Sequence, residues 1–225
     1  MYCPAKSATN LDFTRTVRAA RRKVQVKPRL GPEVDQPPRT DFTRERPGIP
    51  VIHPTAVLAP GAVVVGQVTI EADCFIGPNA VVRGDLEPII IRHGSNIQDN
   101  CTVHTERGSP VAIGPDASVG HGAVVHGATI GERALIGMNA VVLNGAIVGD
   151  RAVVGALTLV PNNFHVPAGS LAVGVPCQIK KQGDPAIAQM AFMNTERYHR
   201  YRVEHLEGKW KTVRGPLNDG ETFLR

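Results

Sequence analysis

Histidines that could bind a metal ion lie in the middle of the sequence, at a spacing that a helix would not use. His121 and His126 are five residues apart in the glycine-rich stretch SVGHGAVVHG, and His104 lies shortly before them. On a helix, two imidazoles reach one metal from positions four residues apart. A spacing of five therefore requires another backbone, and the surrounding repeat indicates which one.

Aliphatic residues recur at steps of six residues through most of the chain. The series is interrupted by a three-residue insertion after Val82, by the excursion HTERGSPVA and by one five-residue step. A small side chain stands two residues before most of its members. These members are Ile52, Leu58, Val64, Ile70, Ile76, Val82, Ile91, Ile97, Val103, Ile113, Val119, Val125, Ile130, Ile136, Val142, Val148, Val154, Val160 and Val166.

A period of six fits neither a helix nor an endless strand, but it fits a short strand followed by a corner. Three such units close one triangular coil. The repeat resembles that of the hexapeptide-repeat proteins. In these proteins the triangular coils stack into a left-handed prism, an exception to the rule that connections between parallel strands are right-handed. We therefore predict a mainly β fold, a left-handed parallel β-helix over residues 49–182 with a C-terminal α-helix.

The segments on either side of the repeat differ from it. Asp184 can cap a helix and Pro185 can begin one, so residues 183–225 are predicted to form a C-terminal helix and tail. Residues 1–48 are predicted to be a basic N-terminal extension. Residues 1–47 contain eleven Lys and Arg against five Asp and Glu, a net charge of +6, whereas the remainder has −1.

Composition limits the environments and partners that we expect. No run of eighteen apolar residues occurs, and the four cysteines show no close pairing. We expect a cytoplasmic protein in a reducing compartment, or one in an organellar matrix if residues 1–48 form a transit segment. The extension shows neither interleaved aromatic residues nor amphipathic periodicity, so no nucleic-acid or membrane partner is expected. Cys74 and Cys101 occupy small inward positions and should be buried and inert.

The repeat also places the histidines. Arg83, His104 and His126 each follow a third-position valine and should stack along one edge, whereas Asp99 and His121 should stack on a neighbouring face. His104 and His126 are then one coil apart and could bind one metal ion. His121 would come from a neighbouring protomer, which predicts a homotrimer with metal sites at its interfaces. Three histidines and an open position are the ligand set of catalytic zinc.

Several blocks carry a more specific resemblance. VVRGDLEP, SNIQDNCTVH and SVGHGAVVHGATIGERALIGMNAVVLNGAIV resemble the gamma-class carbonic anhydrases and their relatives, and the likeness is closer to the branch of carnitine-operon and phenylacetate-operon proteins. It covers about residues 49–182. The resemblance implies that His104, His121 and His126 bind Zn²⁺, with Fe²⁺ or Co²⁺ as the metal of some members.

The resemblance also implies roles for other residues. Arg83, Asp85 and Asp99 would pair across the trimer interface, Gln98 would orient a metal-bound water, and Tyr198 would reach the site from the terminal helix. The sequence departs from the best-studied pattern at Leu86, which follows Asp85 where those enzymes have glutamate. Glu106 or Glu87 would then have to relay the proton.

The function expected from this pattern is a zinc lyase that interconverts CO₂ and bicarbonate, with metal-activated water as the nucleophile. Two alternatives from other classes remain. One is a metal-dependent hydrolase of acyl-CoA thioesters, and the other is a non-catalytic scaffold or assembly subunit. A hexapeptide acyltransferase, which uses one catalytic histidine, is a further alternative.

Overall fold

The computed structural model describes residues 48–211. The predicted extension, apart from Gly48, and the tail after residue 211 lie outside the described residues. Within them the chain forms nineteen strands and one helix, α1 (Pro185–Leu206). The strands are β1 (Val51–Ile52), β2 (Val57–Leu58), β3 (Val63–Ile70), β4 (Phe75–Ile76), β5 (Val81–Ile91), β6 (Asn96–Ile97), β7 (Thr102–His104), β8 (Val111–Ile113), β9 (Ser118–Val119), β10 (Val124–His126), β11 (Thr129–Ile130), β12 (Leu135–Ile136), β13 (Val141–Val142), β14 (Ile147–Val148), β15 (Val153–Val154), β16 (Leu159–Val160), β17 (His165–Val166), β18 (Ser170–Val173) and β19 (Gln178–Gln182).

The short strands stack in parallel on three faces. One face runs β2, β4, β6, β9, β12, β15 and β18, and pairs Ile97 with Val119 in register. The other two faces meet in the long strands β3 and β5, which turn a corner without a break. The predicted left-handed parallel β-helix with a C-terminal helix is confirmed as a mainly β, parallel solenoid of about seven turns.

The interior is built from the aliphatic series and the small residues that precede its members. Ile97, Val119 and Val125 have no measurable exposure, and neither has Ala117. Cys74 and Cys101 are buried among them as free thiols, as predicted. Each coil therefore covers the apolar face of the next, and the core extends along the axis.

The corners require a left-handed backbone, which Asn and Asp tolerate better than other residues with a side chain. Six of the nine non-glycine residues with positive φ in the described chain are Asn or Asp. The others are Arg133, Arg151 and Leu157, the last with φ of 58°. The corners are thus set mainly by local residue chemistry.

Helix α1 begins where the sequence predicted. The Asp184 carboxylate accepts a hydrogen bond from the backbone N of Ala186 at 2.9 Å, which caps the first turn. The helix buries Ile187 and Ala191 against Val153, and Tyr198 against Phe75. In the described chain, no helix has the length and apolar character needed to cross a bilayer.

A polar contact between these apolar clusters fixes the position of the helix. The Thr195 hydroxyl donates to the backbone carbonyl of Asp116 at 2.7 Å and lies 3.4 Å from the Ser118 hydroxyl. Ser118 also accepts from the Asn96 side chain at 2.7 Å. Because these groups are buried, their pairing favours one placement of the helix along the prism.

The last strand runs against the others. β19 pairs antiparallel with β18, with Ser170 opposite Gln182 and Val173 opposite Gln178. The chain therefore reverses direction before it enters helix α1.

Candidate functional site

His104 and His126 face each other on one edge of the prism. They are paired neighbours in β7 and β10, and Arg83 precedes them in the same column. The Nδ1 atom of His104 lies 3.0 Å from Nε2 of His126, and the rings meet at 67°. The predicted stacking of this column is therefore observed.

Each of these imidazoles has an oxygen partner at its other nitrogen. Asp85 Oδ1 lies 2.9 Å from His104 Nε2, and Asn144 Oδ1 lies 2.6 Å from His126 Nδ1. Both oxygens are hydrogen-bond acceptors, so each ring donates its N–H hydrogen bond to its own oxygen partner. The nitrogens that face each other then carry lone pairs, an arrangement that a cation between them stabilises.

The separation of these nitrogens fits a shared metal ion. Two imidazole nitrogens on one tetrahedral zinc are about 3.3 Å apart, given Zn–N distances of about 2.0–2.1 Å. The 3.0 Å spacing of His104 and His126 is close to this value. An imidazole oriented by a carboxylate is also the usual arrangement around a bound metal.

Arg83 supports the same edge by pairing with the carboxylate of Asp85. Partial burial raises the pKa of Asp85, but the hydrogen bond from His104 and the ion pair with Arg83 outweigh this effect and hold that pKa below its usual range. Asp85 is therefore ionised at neutral pH and accepts only. Its predicted role across a trimer interface stays a prediction, because the structure contains one chain.

His121 lies on the neighbouring face, as predicted. Its Nδ1 is 3.4 Å from Asp99 Oδ2, and its Nε2 is 3.0 Å from the Tyr198 hydroxyl. The side chain is 44% exposed, so it can be reached from outside the chain. Within one chain, residues 48–211 contain no group of three or more His, Cys, Asp and Glu arranged to hold a metal ion.

Gln98 lies beneath His121 and is buried. Its Oε1 accepts from the backbone N of His121 at 3.1 Å, and its Nε2 donates to Asn96 at 3.0 Å and to Asn194 at 3.4 Å. In this chain Gln98 therefore positions His121. Its predicted contact with a metal-bound water stays a prediction.

The two acidic candidates for proton relay are engaged in the loop after His104. Glu106 is exposed and accepts from the backbone N of Arg107 at 2.9 Å. Glu87 accepts from the backbone N of Gly108 at 3.0 Å. Both carboxylates thus stabilise the turn that the loop makes.

Two cavities beside His121 were not predicted from the sequence. The first, called here the aromatic cavity, has a volume of about 280 Å³, and its lining includes the rings of Phe75, Tyr198, Tyr201 and Trp210 together with Asp99, His121 and His205. The second, called the helix groove, has a volume of about 290 Å³. It runs between helix α1 and the prism, and its lining includes Gln98, Leu135, Met138, Val153, Met190 and Arg197.

Comparison with known proteins agrees with this fold. The profile described as "Bacterial transferase hexapeptide (six repeats)" matches residues 49–84 and 127–162. The profile described as "Hexapeptide repeat of succinyl-transferase" matches residues 67–105 and 110–142. A hexapeptide transferase family protein from Anaplasma phagocytophilum superposes with a TM-score of 0.66 and 28% identity, over 69% of this chain and 92% of that one. A Bacillus cereus protein provisionally assigned as an acetyltransferase superposes with a TM-score of 0.63 and 31% identity, over 68% of this chain and 92% of that one.

The curated relatives include carnitine operon protein CaiE. The Escherichia coli protein is 39% identical over 150 residues, which is 67% of this chain and 76% of the relative. The Salmonella typhimurium protein is 38% identical over 173 residues, which is 77% of this chain and 86% of the relative. The chain therefore belongs to the hexapeptide-repeat family. Within that family its relatives support the carnitine-operon branch, as the sequence resemblance indicated.

The predicted enzyme class, a carbonic anhydrase-like zinc lyase, is wrong. The similar proteins reported above are named as transferases or carnitine-operon proteins. The site gives a physical reason, because Leu86 replaces the acidic residue after Asp85. The carboxylate of Glu106 accepts from the backbone of its own loop instead of extending towards the site.

Proposed function

We propose that the protein is a metal-dependent hydrolase of acyl thioesters of the acyl-CoA class. The observation that carries the proposal is that one nitrogen of His104 faces one nitrogen of His126 at 3.0 Å. The other nitrogen of each ring contacts an acceptor oxygen. Asp85 and Asn144 fix the two rings in the tautomers that ligation requires. Imidazole ligands suit Zn²⁺ and also Fe²⁺ or Co²⁺.

The third ligand in this proposal is His121 of a neighbouring protomer in a homotrimer. His121 is on another face of the prism, its side chain is exposed, and Gln98 holds its backbone in place. A prism with the pair on one face and the single histidine on the next would form one site at each interface of a closed ring. When bound, the metal ion would polarise a carbonyl group and supply a nucleophile at neutral pH.

The helix groove supports an acyl thioester as the substrate. Its walls include Leu135, Met138 and Met190, which suit an acyl chain, and it also reaches His121. Arg197 adds a cation to the same lining, which suits the phosphates of a CoA-type carrier. The groove thus combines the two chemistries of an acyl-CoA beside a proposed metal ligand.

Transfer of the acyl group to an amine or hydroxyl acceptor is a second candidate. It is favoured by the names of the two similar structures, a hexapeptide transferase family protein and a provisional acetyltransferase. Hydrolysis and transfer both release the carrier thiol, but only hydrolysis does so without an acceptor. A binding protein or scaffold would release none.

The test is thiol release from a panel of acyl-CoAs of increasing chain length, with metal-replete protein and without added acceptor. Hydrolysis is expected to be lost in His126→Ala, together with bound metal, and to persist in His165→Ala, which changes an exposed histidine of β17. Thiol release that requires an added acceptor would replace hydrolysis with transfer. If no thiol is released with or without an acceptor, the protein would instead be a binding protein or scaffold.

A further inference from the structure

Aromatic side chains are concentrated at one place in a chain that has few of them. Phe, Tyr and Trp make up 4% of the sequence, and six of them fall within residues 48–211. Four of these six, Phe75, Tyr198, Tyr201 and Trp210, line the aromatic cavity. Core packing does not account for this, because Tyr201 and Trp210 are exposed.

The rings come from different elements and stand at angles to one another. Phe75 belongs to β4, the two tyrosines belong to α1, and Trp210 follows the helix. Tyr198 and Tyr201 are nearly perpendicular, at 85° with centroids 5.4 Å apart. Phe75 is tilted by 44° from Tyr198 at 6.0 Å. A group inside the cavity therefore meets π-systems from more than one direction.

The charge of the lining favours a cation. Asp99 contributes a carboxylate, His121 and His205 contribute imidazoles, and no Lys or Arg is among the residues described as lining the cavity. Glu204 accepts from the indole N–H of Trp210 at 3.3 Å, but Lys209 lies 3.7 Å from the same carboxylate and offsets its charge, so Asp99 is the carboxylate that matters for the cavity. Aromatic faces also carry negative potential, so cations are attracted while phosphates and carboxylates are repelled.

We propose that the aromatic cavity binds the quaternary ammonium group of a small molecule. A primary ammonium group would have to place three N–H donors, whereas a quaternary group has none and gains from ring faces around it. The volume of about 280 Å³ is near the lower limit of about 300 Å³ for small-molecule sites, which suits a head group. This inference does not rest on the proposed hydrolase, although His121 borders both sites.

The chain reports on this site directly, because Trp210 is its single tryptophan. We would titrate choline into the full-length protein as purified and follow tryptophan fluorescence, with calorimetry as the second readout. Choline is expected to give a saturable change. Dimethylbutanol, its uncharged carbon analogue, and ethanolamine, a primary amine, are expected to bind at least about tenfold more weakly.

Variants on helix α1 supply the matched controls. Tyr201→Leu is expected to raise the Kd for choline about tenfold through loss of one ring, and Tyr201→Phe is expected to retain binding. Phe192→Leu removes a ring of similar exposure, 42% against 39%, from the same helix but outside the cavity, and should leave the Kd unchanged. Circular dichroism and particle mass would verify folding.

Several results would overturn the proposal. Absence of a saturable signal with choline is one, and equal affinity for choline and dimethylbutanol would show an apolar cavity without selectivity for charge. Tighter binding of ethanolamine would point to a primary amine instead. An equal loss in Phe192→Leu and Tyr201→Leu would show that the helix as a whole, and not the ring, matters. None of these outcomes depends on thiol release, so failure of this proposal is distinguishable from failure of the proposed hydrolase.

Discussion

His104 Nδ1 lies 3.0 Å from His126 Nε2, while the other nitrogen of each ring contacts a residue of the same chain. Asp85 and Asn144 therefore orient both rings from within a single chain. Metal binding in this arrangement depends on residues that do not themselves contact the metal.

Asp85→Ala is expected to weaken metal affinity about 10–100-fold, because His104 loses the carboxylate that fixes its ring and tautomer. Competition with a chelator would measure this. Glu71→Ala is the matched control, since Glu71 also pairs with an arginine, Arg92, but does not contact His104 or His126. Equal metal affinity in Asp85→Ala and the parent would contradict the site.

Leu157→Asn is expected to stabilise the protein by roughly 0.5–1 kcal/mol. Leu157 has φ of 58° and is 69% exposed, so a strained backbone is retained with little burial to compensate. Asparagine tolerates this conformation, as it does at Asn139 and Asn163. Thermal unfolding should show a rise in Tm of about 1–4 °C. Leu159→Asn, in the neighbouring strand, should instead lower it.

The buried cysteines are expected to resist thiol reagents in the native state. Burial raises the pKa of Cys74 to about 12 and that of Cys101 to about 12, so neither forms thiolate at pH 8. Burial also raises the pKa of Cys177. In Cys3→Ser protein, labelling should be slow until denaturant is added and should then reach three thiols. Fast native labelling at Cys74 or Cys101 would contradict the packing.

Arg202→Met is expected to loosen the end of helix α1. The Arg202 Nη1 atom lies 3.1 Å from Asp73 Oδ1 and donates to the backbone carbonyl of Thr55 at 3.3 Å, which ties the helix to the first coils. Asp73 is half exposed, so solvent screening limits the loss to about 1 kcal/mol or less. Amide hydrogen exchange over residues 185–206 should accelerate, whereas Arg200→Met, an exposed arginine on the same helix, should not change it.

Most of the fold could be predicted from the sequence, because the repeat gives each coil the same pattern of buried positions as the coils next to it. The six-residue series predicted the core positions of Ile97, Val119 and Val125, and their register followed from counting coils. It did not predict that β5 would continue through the corner from Val81 to Ile91. The insertion there was visible, but its conformation depends on pairing with β3 and β8 on either side.

The repeat predicts the site only as far as the repeat itself extends, and the expectation that Tyr198 reaches the site came from the family resemblance instead. Asn144 was missed as the partner of His126, although it lies eighteen residues later, about one coil on, and the same counting could have found it. The contact between Tyr198 and His121 joins residues 77 positions apart. No period relates a helix to the prism, so this contact and the aromatic cavity depend on tertiary packing alone.

The reversal at β19 has a consequence for self-association. A parallel ladder that simply stopped would offer unpaired amide and carbonyl groups to the next molecule, and copies could stack end to end into fibres. Here an antiparallel strand with Lys180 and Lys181 exposed covers that ladder on one face. Charge and reversed polarity at this end of the prism should therefore keep each particle finite.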